Sequence, residues 1–232
     1  HKPPQIQSEE KIAILFLLVK LFFLPLMLNF FFNNVSALIN FKENLAEAVW
    51  SAGFFMYVMY PGLIALIFLV DTLWFSFGYT FEFDFLKNRV RSVEPTVFGW
   101  AVALICYPPF NSITANYLPW GAEEGFKYGS DAFTLTMMGV VVAFFLVYIW
   151  ATLSLGAKCS NLTNRGIVSH GAYRWIRHPA YIAKVSAWWV MLIPVLSWKF
   201  FFAMAGWTVI YYFRAITEER HLIRDPDYQS YV

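Results

Sequence analysis

The sequence predicts an all-α integral membrane protein with about six transmembrane helices, the last two forming a tight helical hairpin. Three observations predict it. Of 232 residues, 59% are hydrophobic and only 14% charged, with a mean hydropathy of +0.52; soluble domains run near half apolar and a quarter charged. The apolar runs have the length, about 20 residues, that the hydrocarbon layer of a bilayer asks of a helix. Lysine and arginine collect in alternate loops between those runs. The 21% of aromatic residues excludes a disordered chain.

Taken in order, Ile12 to Phe32 is the first span, with Lys20 and Pro25 inside it. Val49 to Val70 is the second, bounded by Glu47 and Asp71. Thr96 to Leu118 is the third, and its Tyr107-Pro108-Pro109 predicts a kink or a break, because proline has no amide to donate. Phe133 to Leu155 is the fourth. The run from Ile182 to Phe213 is too long for one span and short for two, so Pro194 to Lys199 is read as the turn of a hairpin. The chain thus divides into residues 1–154, holding four spans, and a C-terminal region, residues 155–232. No basic segment with a cleavage site precedes the first run, so no removed signal peptide is expected.

Orientation follows from the basic residues. With the N-terminus in the cytoplasm, the inner segments carry Lys2, Lys11, Lys87, Arg89, Arg91, Lys158, Arg165, Arg174, Arg177, Arg214, Arg220 and Arg224. The outer segments hold only Lys42, Lys127 and Lys199. Both termini are therefore expected to be cytoplasmic, in a multi-pass protein. On that topology the tripeptide Asn161-Leu-Thr163 lies inside and is not a glycosylation acceptor, and Asn34-Val-Ser36 lies too near the membrane to be a good one. A net charge of +2 gives no reason to expect nucleic acid, and Cys106 and Cys159 build neither a disulfide framework nor a metal cluster.

The chemistry is expected where polar residues concentrate. From Gly156 to Tyr181 the chain has four basic residues, no acidic ones and two of the four histidines, and reads Gly171-Ala-Tyr173-Arg174-Trp-Ile-Arg177-His178-Pro179-Ala-Tyr181. Pro179 suits the first position of a helix, which puts His178 at its cap and leaves the amides of Ala180, Tyr181 and Ile182 free beside Arg177, as an anion site. The bland alternative is a basic loop that enforces topology and touches anionic lipid. A second cluster follows the last span: Arg214, Thr217, Glu218, Glu219, Arg220 and His221. Arg214 and Glu218 are four apart and make a surface ion pair in the bland reading. In the functional one the hairpin folds them back towards Tyr173 and His178, and cations facing carboxylates suit a zwitterionic ligand. Ser92-Val-Glu94-Pro95 and Tyr107 to Asn111 could shape an acceptor pocket, but helix initiation and kinking are the preferred roles of Glu94 and Asn111.

The pattern Gly-x-Tyr-x-x-x-Arg-His-Pro-x-Tyr, a hydrophobic hairpin and then Arg-x-x-x-Glu-Glu resembles the isoprenylcysteine carboxyl methyltransferases and the related membrane phospholipid methyltransferases. It runs from about Leu155 to the end of the chain and includes Ile167-Val168. The resemblance implies S-adenosylmethionine as methyl donor on the cytoplasmic side and a lipophilic or lipidated acceptor entering from the bilayer, with membrane lipid as the other partner and no metal. It implies that Ile167 and Val168 offer backbone contacts to the cofactor. Tyr173, His178, Pro179, Ala180 and Tyr181 would line its pocket, Glu218 would hold its polar end, and Arg214 would face the acceptor as the catalytic residue. Two departures stand out: Ala183 replaces the usual Gly, and the family's tail commonly continues past the point where this chain stops, which leaves one wall of the pocket open to question.

An arginine at the acceptor favours a carboxylate, which needs no proton removed; an amine, as in a phospholipid headgroup, needs a base, for which Glu218, Glu219 and His178 are candidates. Two other classes share some of these features. Membrane sterol reductases share the Arg-His-Pro-x-Tyr element and bind NADPH, but resemble longer chains whose later motif has Asp and Cys in place of Glu-Glu. A transporter would use Lys20, Pro25 and the Pro108-Pro109 break, although Lys20 can simply pair or snorkel.

Overall fold

The computed structural model describes residues 8–46, 50–122 and 126–232, so Lys2, Glu47 and Val49 fall outside the described residues. Helix α1 spans Ser8–Ala46. Its 39 residues make a rod of about 58 Å at 1.5 Å per residue, well beyond the predicted Ile12 to Phe32. Pro25 lies inside it without ending it, and the Asn34 side chain donates to the Phe30 carbonyl at 2.8 Å, so the first sequon is helix surface. One face of α1 buries Phe16, Val19, Phe23 and Met27 against Tyr79 and Val93; Leu17, Leu18, Leu21 and Leu28 face outward, as lipid contact requires. Lys20 points to Glu82 at 4.0 Å and lies over the Phe16 ring, the pairing that makes it structural.

Helix α2, Ala52–Thr80, widens into π turns over Phe55–Met59, just before Pro61, which has no amide for a regular ladder. Near its end Gly78 lets the chain at Cys159 approach: a Cβ there would lie 2.0 Å from the Cys159 carbonyl oxygen. The third predicted span is broken, as Pro108-Pro109 implied. Thr96 caps the short helix α3, Val97–Leu104, by accepting from the Gly99 amide at 3.1 Å. A turn then leads to α4, Phe110–Ala115. The break turns Tyr107 inward, towards the Arg214 guanidinium.

Helix α5 covers Asp131–Leu155 and packs along both α2 and α6, Pro179–Leu192. Met138, Val141, Phe145 and Tyr148 recur every three or four residues on the buried face of α5, and Tyr60, Ile64 and Ile67 do so on α2. Ala183 and Ala187, one turn apart on α6, are fully enclosed against them, and small residues are what allow helices to approach closely within a membrane. The small side chain retained at Ala183 thus keeps the packing that a Gly would permit. After the turn around Pro194, α7 runs Trp198–Leu222, and a last helix, α8, covers Pro226–Tyr231.

Four of the described helical segments are long and apolar enough to cross a membrane: Glu9–Leu45, Ala52–Thr80, Asp131–Lys158 and Trp198–Leu222. The other two of the six expected spans are the broken α3–α4 segment and α6, whose 14 residues reach only about 21 Å. The first arm of the predicted hairpin is therefore shorter than the second. At one end of the bundle the loops are tied by a two-residue antiparallel ribbon, β1 (Ser92–Val93) with β2 (Thr163–Asn164), paired Ser92 to Asn164 and Val93 to Thr163. The bonds from Arg91 N to Asn164 O (2.8 Å) and from Glu94 N to Leu162 O (2.7 Å) extend it. This clamp joins the two loops on which the site is built. Asn161, the second sequon, is buried there and holds the Tyr79 hydroxyl by its backbone and side-chain nitrogens at 2.7 and 2.8 Å.

Candidate active site

Pro179 occupies the first turn of α6 and His178 caps it, as the sequence predicts. The expected trio of free amides is reduced: Ile182 N donates to the His178 carbonyl at 3.1 Å, leaving Ala180 and Tyr181 at the helix start. Ahead of it, Gly171 takes φ +60°, and a Cβ there would fall 2.1 Å from the Ser154 hydroxyl, so the turn carrying Tyr173 lies flush on the end of α5. Only glycine accepts both that φ and that contact.

The hairpin brings the two polar clusters together. Tyr181 donates to Glu218 Oε2 at 2.8 Å, and His178 Nε2 lies 2.9 Å from Glu219 Oε1, with Arg177 Nη1 3.5 Å from the other oxygen. The His178 and Tyr181 rings stack at 5.6 Å and 2°. Thus Glu219 holds His178, while Glu218 faces the space between the helices. The surface pair between Arg214 and Glu218 does not form. Arg214 is buried instead, bonded to Asn161 Oδ1 and, at 3.5 Å, to the Tyr107 hydroxyl. Its guanidinium carbon lies 5.4, 5.1 and 5.7 Å from the ring centres of Tyr107, Tyr181 and Tyr211. No carboxylate among the described residues pairs with it.

Two cavities meet at this point. The inner one, about 640 Å³, has Arg214, Tyr107, Tyr148, Tyr181 and Lys184 on its walls. The outer one, about 630 Å³, runs past Ile167, Val168, Lys158 and Leu222, and both share Tyr173, Arg177, His178 and Glu218. Ala180 lines the inner cavity; Pro179 is fully buried behind it and lines neither. So eight of the nine residues singled out from the sequence line these two adjoining cavities. On the wall left in question at the end of the motif stands α8: Tyr228 and Tyr231 line the outer cavity, and the Tyr231 hydroxyl donates to the Tyr173 carbonyl. Burial, then the charge of Glu218, holds the Tyr173 phenol well above its usual range, and burial pushes Tyr228 up to about 12. Both are neutral hydroxyls at physiological pH.

Behind Lys184 the inner cavity leads to a further one, about 710 Å³, lined by Asn33, Asn34, Asp71 and Phe75. Asp71 is buried and accepts from Tyr148 (2.8 Å) and Thr152 (2.6 Å). Lys184 lies 4.7 Å over the Tyr148 ring. Neither Asp71 nor Lys184 was singled out as a site residue from the sequence; the signal that could have found them is an ionisable residue inside or at the edge of an apolar run. Glu94 performs the predicted helix-starting role, accepting through Oε1 from Thr96 and from Arg220 at 3.2 Å. Asn111 lies in α4 away from these walls. Cys106 and Cys159 are both free.

Residues 132–225 match the family model described as phospholipid methyltransferase. The match begins within α5, upstream of the motif that carries the resemblance, and takes in α6, α7 and every wall of the two cavities except those from α2, the α3–α4 turn and α8. No curated protein and no solved structure matches the chain. The four long apolar helices define a multi-helix membrane protein, and the matched stretch points to the methyltransferase class. The matched stretch is similar to the phospholipid methyltransferase family, one of the two groups that the motif resembles.

Proposed function

We propose that the protein transfers a methyl group from S-adenosylmethionine to a lipophilic acceptor that enters from the bilayer. The observation that carries the reading is Arg214: a buried guanidinium in a cage of tyrosines, without a carboxylate partner, where the two cavities join. Burying a cation so is costly unless an anion completes it, and the acceptor supplies that anion.

The residues fit the methyl donor. Its sulfonium makes the methyl electrophilic; its amino-acid end needs a carboxylate and a cation, which Glu218 and Arg177 offer across the shared wall. Ile167 and Val168 would take the flat apolar part at the outer cavity, and the stacked His178 and Tyr181 rings present π faces to a cation, an interaction of about 0.5–2 kcal/mol. Glu219 fixes the His178 ring, and Tyr181 fixes the Glu218 carboxylate, so the pocket is held before the ligand arrives. Arg214 would orient the acceptor by a two-point contact, and the ring of tyrosines excludes water from the transfer.

Two acceptors satisfy an anion at Arg214: a lipid-linked carboxylate that is itself methylated, or a phospholipid whose phosphate sits there and whose amine is methylated. The family match favours the second as much as the arginine favours the first. The test is methyl transfer from labelled S-adenosylmethionine by the purified protein in nanodiscs, offered a farnesylated N-acetylcysteine and an ethanolamine glycerophospholipid separately. A labelled product with either supports the reading, and its identity chooses the acceptor. No labelled lipid with either, from protein that binds S-adenosylhomocysteine, removes it.

A further inference from the structure

A fourth chamber adjoins the inner cavity, and its far wall takes no part in the reading above. It spans about 450 Å³, in part open to solvent, and shares Ser160, Asn161, Tyr181, Arg214 and Glu218 with the inner cavity. Its far wall holds Glu94, Thr217 and His221. His221 is buried, yet it also lines a large cleft at the loop end of the bundle, with Lys11, Arg91 and Arg224. Its ring is therefore the partition between the chamber and that cleft, and Nε2 is fixed there by the Ser92 hydroxyl at 2.8 Å. Glu94, 2% exposed, spends one carboxylate oxygen on Thr96 and Arg220, while the other is buried with no hydrogen-bond partner among the described residues. Gly99 makes room for that carboxylate, since a Cβ there would lie 2.4 Å from Glu94 Cγ. A polar chamber of this size, with a buried acceptor atom left over, is a place for ordered water or a proton.

The geometry points to this chamber as the path by which a proton leaves the site during methyl transfer, with His221 as the residue that passes it outward. The inference rests on the methyl-transfer reading, and it decides between the two acceptors, because only an amine has a proton to lose. The step balances as follows. The acceptor's ammonium gives a proton to the Glu218 carboxylate. The freed nitrogen pair forms the N–CH3 bond as the methyl–sulfur bond breaks, its electrons staying on sulfur as a neutral thioether. The proton then moves from Glu218 through the chamber, where Glu94 stabilises it, to His221 and the outer cleft. The charged groups around His221 suit a relay: Glu94 ahead of α3, Glu218 and Arg220 on its own helix, and Arg224, Asp225, Arg91 and Lys11 on the outer side. Tyr181, bonded to Glu218, lines both spaces. In these terms His221 and Glu94 are positioning residues that act through Glu218.

The test compares wild type, His221→Gln and His221→Phe in nanodiscs containing the ethanolamine glycerophospholipid, by turnover between pH 6 and 9 and by calorimetry with S-adenosylhomocysteine. His221→Gln keeps a hydrogen-bonding group for Ser92 and removes the titrating ring. The expected result is unchanged S-adenosylhomocysteine affinity in both variants. Turnover falls about tenfold or more at pH 6.5, up to the roughly 10²–10⁴-fold typical of proton-transfer catalysis, recovers towards pH 9, and is restored by added imidazole in His221→Phe. Turnover within twofold of wild type at every pH overturns the chamber's role while leaving the methyl-transfer reading standing. So does a loss that is equal at every pH and not rescued by imidazole, or a wild type that methylates only the farnesylated carboxylate. Wild type that binds no S-adenosylhomocysteine overturns both.

Discussion

Replacing Arg214 with glutamine tests the reading of the acceptor end most sharply. The bonds to Asn161 and Tyr107 come from Nη2; a glutamine amide ends at the level of Nε, so the tyrosine cage keeps a polar group while the charge and those two bonds are lost. The guanidinium also stacks on three rings within 5.7 Å, contacts that help the fold whether or not an acceptor is bound. What the variant removes from catalysis is a desolvated charge pair, and truncating one partner of such a pair costs about 2–5 kcal/mol. Discounting to about 2–4 kcal/mol for the amide left behind, kcat/KM falls by roughly 30- to 1,000-fold at 1.4 kcal/mol per tenfold. The methyl donor is held mainly at Glu218, His178 and the outer cavity, so S-adenosylhomocysteine affinity stays within a few-fold. The assay is labelled methyl transfer at several acceptor concentrations, with calorimetry on the same preparation. A kcat/KM within threefold of wild type, in protein that still binds S-adenosylhomocysteine, would refute the assignment of Arg214 to the acceptor anion.

Three further outcomes are expected. Tyr181→Phe removes the bond to Glu218 Oε2, worth about 1.5–2 kcal/mol as a bond to a charged group, so S-adenosylhomocysteine binds roughly 10- to 30-fold more weakly by calorimetry. Gly171→Ala forces a Cβ into φ +60° against Ser154, adding about 1–2 kcal/mol for the backbone alone; thermal unfolding in detergent shows a lowered midpoint that Gly171→Ala with Ser154→Ala only partly recovers. Burial alone would raise the Asp225 carboxyl, but the bonds from Asn164, the Asp227 amide and Arg91 outweigh it and hold it below its usual value. A depressed carboxyl adds stability above its unfolded value, about 3.9, which is lost as pH falls through the folded one. The protection of the α8 amides, relative to their intrinsic exchange rates at each pH, therefore stays level from pH 7 to about 4 and falls below, and Asp225→Asn removes that acid step.

Much of this architecture is legible in the sequence because the physical constraints are local. Pro179 can begin a helix and cannot continue one, so the start of α6 follows directly, and with it His178 at the cap. Four helices declare themselves by apolar length. The meeting of the loop and the α7 cluster follows from a hairpin whose length brings its ends back together. Other features are not local. The partition of labour between Glu218 and Glu219 depends on helix rotation, since neighbours on a helix point about 100° apart, and only packing says which meets Tyr181. Asn161 reaches Arg214 from 53 residues away, and Tyr107 does so only because the α3–α4 break turns it inward. The length of α1 is hidden as well: past Phe32 the chain becomes polar, yet Asn34 and Ser36 satisfy themselves on carbonyls one turn back, and the helix continues. Lys184 sits at the edge of an apolar run, where a lone charge reads as a tolerated exception until the cavity beside it is seen.

The central claim is that the space between α6 and α7 holds S-adenosylmethionine. Calorimetric titration of the purified protein with S-adenosylhomocysteine and, in parallel, with NADPH tests it most directly, with His178→Ala, Glu218→Ala as the paired control. Saturable binding of S-adenosylhomocysteine, lost in the double variant and absent for NADPH, is the predicted result. Binding of NADPH, or of neither by folded protein, would contradict the account and return the Arg-His-Pro-x-Tyr element to a reductase or to a purely topological role.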